Sequence, residues 1–176
     1  NNSQKPQGDT VVVTLDVKLQ QAAYDALGSY KGAAVVLEPD SGKILALVSK
    51  PDFNPNTISQ DWDTMVMDES NSALLNRATQ GLYPPGSTFK ILTTLAYLRE
   101  HNNQYQDFSF DCTGALTQGD VTITCYNGNV HGQEDLKSAF AHSCNTAFSH
   151  IGLELDKKGF QKVAEQFLFN ASLPTD

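Results

Sequence analysis

The chain has 176 residues, of which 40% are hydrophobic and 18% charged, a balance typical of a globular protein and not of a disordered one. Its formal net charge of -8 argues against nucleic acid or an anionic membrane surface as the main partner. No apolar run approaches the roughly 20 residues of a membrane span, and no signal peptide opens the chain. Residues 1–9 are polar and turn-rich, so we predict a linker or chain edge there.

The first part of the folded region predicts a helix followed by a β-hairpin. Apolar residues recur at helical spacing over residues 15–27, with Asp16 as the N-cap and Gly28 closing the helix. Residues 33–38 and 43–49 predict two strands joined by a Pro-Asp-Ser-Gly turn. Because both apolar runs are nearly continuous, we expect a sheet that is covered on both faces.

The remainder of the chain predicts mainly helices. Residues 50–76 predict a loop, and a largely buried helix begins near Ser87. A hairpin over residues 113–124 follows, and then three helices over residues 134–142, 144–153 and 157–167. Strands come first and helices dominate the rest, which predicts an α+β fold with an antiparallel sheet covered by helices.

Ser87 and Lys90 form the most informative pair in the sequence. A Pro-Pro-Gly turn leads into Ser87, and an apolar helix follows. A serine hydroxyl needs a base to become a nucleophile, and a lysine three residues later lies on the same helix face. The helix N-terminus also favours negative charge that develops during a reaction. The alternative is an ordinary N-cap serine followed by a solvated lysine.

A second pair, Ser143 and Asn145, lies between two predicted helices. A hydroxyl can relay a proton, and a carboxamide can both accept from and donate to a substrate backbone. The alternative is that Ser143 only caps the helix that follows.

The cysteines and histidines give no metal motif by their spacing. Cys112 and Cys125 flank the predicted hairpin and could form a disulfide in an oxidising compartment. The third cysteine, Cys144, completes no Cys-x-x-Cys spacing, so we expect no zinc site and no cofactor. The histidines do not cluster with carboxylates at ligand spacing, and we expect supporting or surface roles for them: His101, His131, His142 and His150.

Taken together, these motifs and their flanking sequence resemble the transpeptidase domain of penicillin-binding proteins, within the serine β-lactamase superfamily. The resemblance extends over nearly the whole chain and is closest to the monofunctional class B enzymes. The segments that carry it are residues 14–21, 34–56, 76–90, 131–132 and 143–145. It implies that residues 10–176 are the N-terminal portion of one transpeptidase domain, and that an anchor and a pedestal domain precede residue 1.

The resemblance also implies a reaction and a location. Ser87 would attack the penultimate D-alanine carbonyl of a peptidoglycan stem peptide, with Lys90 as the base. Ser143 would relay a proton to the leaving D-alanine, and Asn145 would hold the substrate amide. β-Lactams would acylate the same serine. Such enzymes work on the extracytoplasmic face of the bacterial membrane, where the anchor lies outside this segment.

The third motif of the family, Lys-Thr/Ser-Gly on a core strand, is absent from the 176 residues. The nearest string, Lys157-Lys158-Gly159, predicts a solvated surface turn leading into a helix. Without that motif, part of the oxyanion hole and the carboxylate-binding group are missing, and a sheet edge is left open. We therefore expect the chain alone to be inactive and poorly stable, with the rest of the domain or another copy as its partner.

Two other functions remain open from the sequence. A class D-like β-lactamase also uses Ser-Thr-Phe-Lys, although residues 34–56 and the Tyr-Pro-Pro-Gly lead-in favour the transpeptidase. A β-lactam sensor or penicillin-binding module would retain Ser87 and Lys90 as well. The lifetime of the penicillin adduct separates a β-lactamase from the other two, and the segment preceding the domain separates a sensor from a synthase.

Overall fold

The computed structural model of the chain describes residues 8–172. Most of the predicted linker, residues 1–7, lies outside the described residues. The chain divides into two compact units, Asn1–Tyr83 and Pro84–Asp176. The architecture is α+β, as the sequence predicts.

Unit 1 contains the predicted helix and hairpin. Its elements are α1 (Val17–Leu27), β1 (Gly32–Leu37), β2 (Ile44–Lys50) and α2 (Ile58–Met67). Asp16 caps α1, because its carboxylate accepts hydrogen bonds from the backbone amides of Lys18 and Leu19. The two strands are antiparallel, with Val35 opposite Leu47. The predictions for this helix and hairpin are confirmed.

Two expectations for unit 1 are wrong. Ala46 and Val48 are buried, but Val35 is 44% and Leu37 57% exposed, so within the described residues the sheet is covered on one face only. The predicted loop contains α2, whose first residue follows Thr57, a cap position without a side-chain hydrogen bond. The helix was not predicted because the prolines and asparagines that flank it are typical of a loop. The signal that could have revealed it is the helical spacing of its apolar residues: Ile58, Trp62 and Met65.

The side chain of Gln20, on α1, binds one residue of β2. Its Nε2 donates to the carbonyl of Leu47 at 2.8 Å, and its Oε1 accepts from the Leu47 amide at 2.8 Å. Both backbone groups of Leu47 are therefore satisfied on the side of β2 away from β1. No strand of the described residues pairs with the outer edge of β1.

We expect Gln20→Ala to free both backbone groups of Leu47 and to destabilise the hairpin locally by about 1–3 kcal/mol, because each net hydrogen bond contributes about 1 kcal/mol. Hydrogen exchange at the Leu47 amide should then accelerate by about tenfold or more. Gln21→Ala is the matched control, because Gln21 makes only a surface contact to Asp25 within the same helix. Equal exchange rates at Leu47 in both variants would contradict this role of Gln20.

Over its described residues, 84–172, unit 2 contains four short strands and four α-helices, and a 3₁₀ turn at Gly86–Phe89 precedes the first helix. The elements are α3 (Lys90–Glu100), β3 (Phe110–Cys112), β4 (Ala115–Gln118), β5 (Val121–Thr124), β6 (Gly132–Glu134), α4 (Leu136–Ala141), α5 (Asn145–Glu154) and α6 (Lys157–Gln166). β4 pairs with β5 as the predicted hairpin, and β3 pairs with β6, which the sequence did not predict. The predictions for the four helices are confirmed within a few residues.

The core of unit 2 forms around α5. Ala147 and Ile151 of α5 are at most 1% exposed, and they belong to one apolar cluster with Ala96 of α3 and Leu136 of α4. All three cysteines also belong to this cluster. The prediction that the helix after Ser87 is largely buried holds for one side of α3 only, because Ile91 is 52% exposed.

Lys157, Lys158 and Gly159 form the first turn of α6 and not a strand. The side chain of Asp156 caps this turn by accepting from the amides of Lys158 and Gly159. The prediction of a surface turn leading into a helix is confirmed. Among residues 8–172, no helix combines the length and the apolar character that crossing a membrane requires.

Candidate active site

Ser87 and Lys90 lie on either side of the junction between the 3₁₀ turn and α3. Gly86 has a φ of 56°, a left-handed conformation that glycine adopts without steric penalty and that turns the chain into Ser87. The cap position of the turn is Pro85, and no side chain caps it. Ser87 is therefore not the N-cap that the alternative interpretation required.

The amine of Lys90 is enclosed by oxygen atoms. Its Nζ donates to the carbonyl of Ser143 at 2.6 Å, to Oγ of Ser143 at 2.9 Å and to Oδ1 of Asn145 at 2.7 Å. Oγ of Ser87 lies 3.5 Å from the same Nζ. The two motifs, more than 50 residues apart in sequence, thus meet at one nitrogen atom.

Ser143 joins the lysine to the candidate nucleophile. Its Oγ donates to Oγ of Ser87 at 2.9 Å and accepts from Nζ of Lys90 at 2.9 Å. Ser87 is thus joined to Lys90 by a direct contact of 3.5 Å and by a path through Ser143 with two hydrogen bonds of ordinary length. Both hydrogen bonds of that path are donated toward Ser87 in the resting site, so a proton could leave Ser87 along it only after the two hydroxyl hydrogens rotate.

The backbone of Ser143 is strained. Its φ is 53°, a left-handed conformation that is uncommon for a residue with a side chain. The N-cap of α5 is Cys144, whose sulfur accepts from the amide of Ala147. Ser143 therefore does not cap α5, and its hydroxyl is directed to the other members of the site. Strain at such a position is commonly associated with function.

Asn145 is held at both ends of its carboxamide. Oδ1 accepts from Lys90, and Nδ2 donates to the carbonyl of Thr124 at 3.0 Å. Thr124 is the last residue of β5, so the strand fixes the orientation of the amide. No local pattern pointed to Thr124, because the meeting of β5 with the start of α5 is a tertiary contact.

Partial burial makes the amine of Lys90 easier to deprotonate than an exposed lysine. Partial burial lowers the pKa of Lys90 below its ordinary value, and the nearby sulfurs of Cys144 and Cys125 act in the opposite direction. The ring of Phe148 lies 5.5 Å from Nζ and forms an apolar wall there. An amine with a lowered pKa is better suited to act as a base near neutral pH.

The three cysteines lie together directly behind this site. Cys112 and Cys125 face each other as the hairpin predicts, but both are free, with their sulfurs 3.7 Å apart. The sulfur of Cys144 is 3.7 Å from that of Cys125, and Nδ1 of His131 is 3.4 Å from that of Cys112. The four ligand-type atoms all lie within 4.8 Å of one another. The spacing argument did not anticipate this convergence, because it considered only residues close in sequence, and the expectation of no metal site stays a prediction.

The thiols of this cluster differ in acidity. Burial opposes ionisation of Cys112, but hydrogen bonds from the Thr146 hydroxyl and from the backbone amides of His131 and Gly114 lower the pKa of Cys112 to about 6. Burial raises the pKa of Cys144 to about 11. The cluster therefore favours an unequal distribution of protons among its sulfurs.

His142 lies next to the cluster and pairs with a buried carboxylate. Its Nδ1 is 2.7 Å from Oε1 of Glu134, whose side chain is completely buried. The ring of His142 stacks on that of His131, with 5.5 Å between centroids. The spacing of histidines and carboxylates in the sequence did not predict this pair, and a supporting role for His142 stays a prediction.

Comparison with known proteins identifies the family of the chain. The family model of the penicillin binding protein transpeptidase domain matches residues 32–176. The peptidoglycan D,D-transpeptidase PbpA of Mycobacterium tuberculosis is 37% identical over 92% of the chain and 36% of its own length. The peptidoglycan D,D-transpeptidase MrdA of Acinetobacter baumannii is 30% identical over 96% of the chain and 26% of its own length. The chain thus spans about a quarter to a third of these relatives.

Solved structures show the same fold. The D,D-transpeptidase domain of a peptidoglycan glycosyltransferase from Eggerthella lenta has a TM-score of 0.83 and 38% identity, over 92% of this chain and 38% of its own. Penicillin-binding protein A from M. tuberculosis, as its imipenem acyl-enzyme complex, has a TM-score of 0.82 and 34% identity, over 96% of this chain and 42% of its own. The chain therefore belongs to the penicillin-binding protein transpeptidase family.

Proposed function

We propose that this chain supplies the nucleophile, the base and the proton relay of a D,D-transpeptidase that cross-links peptidoglycan stem peptides through an acyl-enzyme. The observation that carries the proposal is the continuous hydrogen-bonded path from Ser87 through Ser143 to Lys90. Nucleophile, relay and base are all within hydrogen-bonding reach, which is the arrangement that acyl transfer by serine requires.

Each residue has a defined role in this proposal. Oγ of Ser87 attacks the carbonyl carbon of the penultimate D-alanine, and its proton passes to Lys90, directly or through Ser143. Collapse of the tetrahedral intermediate breaks the bond to the terminal D-alanine, whose nitrogen receives a proton through Ser143. An amine of a neighbouring stem peptide then attacks the ester carbonyl, which releases the cross-linked peptide and restores the Ser87 hydroxyl.

Asn145 orients the donor peptide in this proposal. Its carboxamide can accept from one backbone group of the substrate and donate to another. Because Oδ1 is bound to Lys90 in the resting site, a substrate that engages the carboxamide also alters the surroundings of the base. The substrate would bind on the extracytoplasmic side of the bacterial membrane, where peptidoglycan stem peptides occur.

Reaction with a fluorescent penicillin tests the proposal in the complete protein. We expect one covalent label per molecule, located by peptide mapping on Ser87, and a cross-linked product when donor and acceptor stem peptides are supplied. The label should persist, since rapid loss would identify a β-lactamase. A stable label without any cross-linked product would instead favour a β-lactam sensor. A label on another residue would contradict the proposal.

We further propose that the 176 residues alone react poorly, because they contain no Lys-Thr-Gly or Lys-Ser-Gly string. One oxyanion-hole donor typically contributes about 10²–10³ in rate. The labelling rate of the isolated chain should be lower than that of the complete protein by at least this factor. Equal rates would show that the third motif is dispensable here.

Ser143→Ala tests the relay. We expect the labelling rate of the complete protein to fall by about 10²-fold, because the proton is left with only the longer direct path to Lys90. Ser149→Ala is the matched control, since Ser149 lies on α5 outside the hydrogen-bonded path. A Ser143→Ala variant that reacts as fast as the control would assign the proton transfer to Lys90 alone.

A further inference from the structure

Three phenylalanine rings of unit 2 meet beside the turn that carries Ser87. Phe89 lies in the 3₁₀ turn, Phe160 lies near the start of α6, and Phe169 follows the end of that helix. The ring centroids of Phe89 and Phe160 are 5.8 Å apart, with an angle of 80° between the rings. Those of Phe89 and Phe169 are 5.4 Å apart, with an angle of 77°. We call these three residues the phenylalanine cluster.

Both contacts have the edge-to-face geometry that aromatic pairs prefer. In this arrangement the positive edge of one ring meets the negative face of another, so the attraction depends on the angle between the rings as well as on apolar area. An aliphatic side chain of similar size would retain much of the apolar contact but would not fix the angle. The cluster therefore sets the direction of the Phe89 ring in addition to covering it.

The backbone at the end of α6 holds Phe169 in place. The amide of Phe169 donates to the carbonyl of Ala164 at 3.1 Å, and the amide of Leu168 donates to the carbonyl of Glu165 at 3.0 Å. These two bonds form the Schellman ending of a helix, in which a left-handed residue follows the cap. Leu168 is that residue, with a φ of 61°, although glycine is usual there. A costly backbone conformation is thus retained at the residue that leads into Phe169.

The hydrogen bonds within the turn Gly86–Phe89 are local. The Thr88 hydroxyl donates to the carbonyl of Pro85 at 2.6 Å, and the Lys90 amide donates to the carbonyl of Ser87. Such bonds set the shape of the turn but do not set its place against α6. The ring contacts of Phe89 do so, at a residue that lies two positions after the candidate nucleophile.

We propose that the phenylalanine cluster positions the candidate nucleophile, with the two rings at α6 acting on Ser87 through Phe89. The inference rests on the proposed function. Oγ of Ser87 lies 3.5 Å from Nζ of Lys90, so a small shift of the turn would break this contact. A misplacement of about 1 Å can lower a rate by about 10²-fold, even when the change that causes it is remote from the chemistry. Phe160 and Phe169 are therefore positioning residues.

Phe169→Leu tests the cluster in the complete protein. Leucine keeps an apolar side chain but removes the ring, and Phe169 is 37% exposed, so the variant should fold. We expect the rate constant of acylation by saturating fluorescent penicillin to fall by about tenfold, while the dissociation constant of the noncovalent complex changes by less than about twofold. Phe169→Tyr retains the ring and should keep the rate of the unmodified protein. An unchanged rate constant in Phe169→Leu would overturn the proposal.

Val163→Ala is the matched control for a loss of stability. Val163 lies on α6, is 2% exposed and belongs to the core of unit 2, but it is not part of the phenylalanine cluster. Its truncation should lower the melting temperature at least as much as Phe169→Leu does. It should leave the acylation rate constant unchanged well below that temperature. Equal losses of rate in the two variants would mean that α6 only stabilises the fold, which would overturn the proposal.

A double-mutant cycle distinguishes action through Phe89 from an independent effect. If Phe169 acts through the ring of Phe89, the variant Phe89→Leu already removes their contact. Adding Phe169→Leu to that variant should then lower the rate constant by less than about a further twofold. Losses that multiply in the double variant would assign another path to Phe169 and would overturn the proposal.

Hydrogen exchange separates the cluster from the proposed function. The Lys90 amide donates to the carbonyl of Ser87, so its exchange rate reports the opening of the turn whether or not Ser87 reacts. We expect this exchange to be about tenfold faster in Phe169→Leu than in Val163→Ala. Faster exchange in a protein that penicillin does not acylate would sustain the cluster and contradict the transpeptidase. Acylation of Ser87 with neither the rate constant nor the exchange altered in Phe169→Leu would have the opposite meaning.

Discussion

Replacing Lys90 by methionine should lower the rate of acylation of Ser87 by about 10²–10⁴-fold, the range of a positioned general base. Methionine keeps an unbranched side chain of similar length but cannot accept a proton. It also cannot donate to the Ser143 carbonyl or to Oδ1 of Asn145, both of which Lys90 binds. The rate is measured with a fluorescent penicillin in the complete protein.

Two controls distinguish a requirement for a proton-accepting amine at position 90 from a requirement for positive charge there. Lys90→Arg retains a positive charge that is not lost at accessible pH, so it should be as inactive as the methionine variant if a neutral amine is required. Lys137→Met removes an exposed lysine from α4 and should leave the rate unchanged. An arginine variant that reacts at the rate of the unmodified protein would show that charge alone suffices.

The pH dependence follows from the same residue. Lys90 accepts a proton only when it is neutral, so the acylation rate should fall as the pH falls through the pKa of Lys90. Because burial lowers that pKa, the midpoint should lie below the ordinary value for lysine. A rate that rises toward acid pH would contradict the assignment of Lys90 as the base.

Ile151→Ala should destabilise unit 2 by about 2–5 kcal/mol, the range for truncating a buried isoleucine or leucine. Ile151 is 1% exposed and packs in the core cluster that contains the three cysteines. Removing its outer carbons leaves a cavity in that core cluster. The change is measured by denaturant unfolding, followed with a probe in unit 2.

Leu153→Ala is the matched control on the same helix. Leu153 is 56% exposed, so its truncation should change the free energy of unfolding by no more than about 0.5 kcal/mol. If the two variants were equally stable, α5 would not be the centre of the core. A loss confined to Ile151→Ala would confirm the position of α5.

Local signals in the sequence account for the parts of the fold that were predicted correctly. Asp16 and Gly28 mark the two ends of α1, and both act through residues within one turn of themselves. The strand pairing of β3 with β6 could not be predicted, because each strand has three residues and the pairing joins segments about 20 residues apart. Short pairings of this kind are fixed by tertiary contacts and not by the local pattern.

The same distinction between local signals and tertiary contacts applies to the candidate active site. The spacing of Ser87 and Lys90 and that of Ser143 and Asn145 are local and were found in the sequence, and the family resemblance joined them. The convergence of Cys112, Cys125, His131 and Cys144 was missed, because these residues come from four separate segments and no two of them have the spacing of a short metal motif. Convergence of distant side chains depends on packing, which single-sequence patterns do not contain.

The left-handed backbone of Ser143 has a consequence for attempts to stabilise this protein. Glycine adopts that conformation readily, whereas residues with a side chain incur roughly 1–2 kcal/mol there. Variants selected for thermal resistance alone would thus be enriched in glycine at position 143, and they would lack the hydroxyl that links Ser87 to Lys90. At this residue, selection for heat tolerance and the proton relay proposed for Ser143 act in opposite directions.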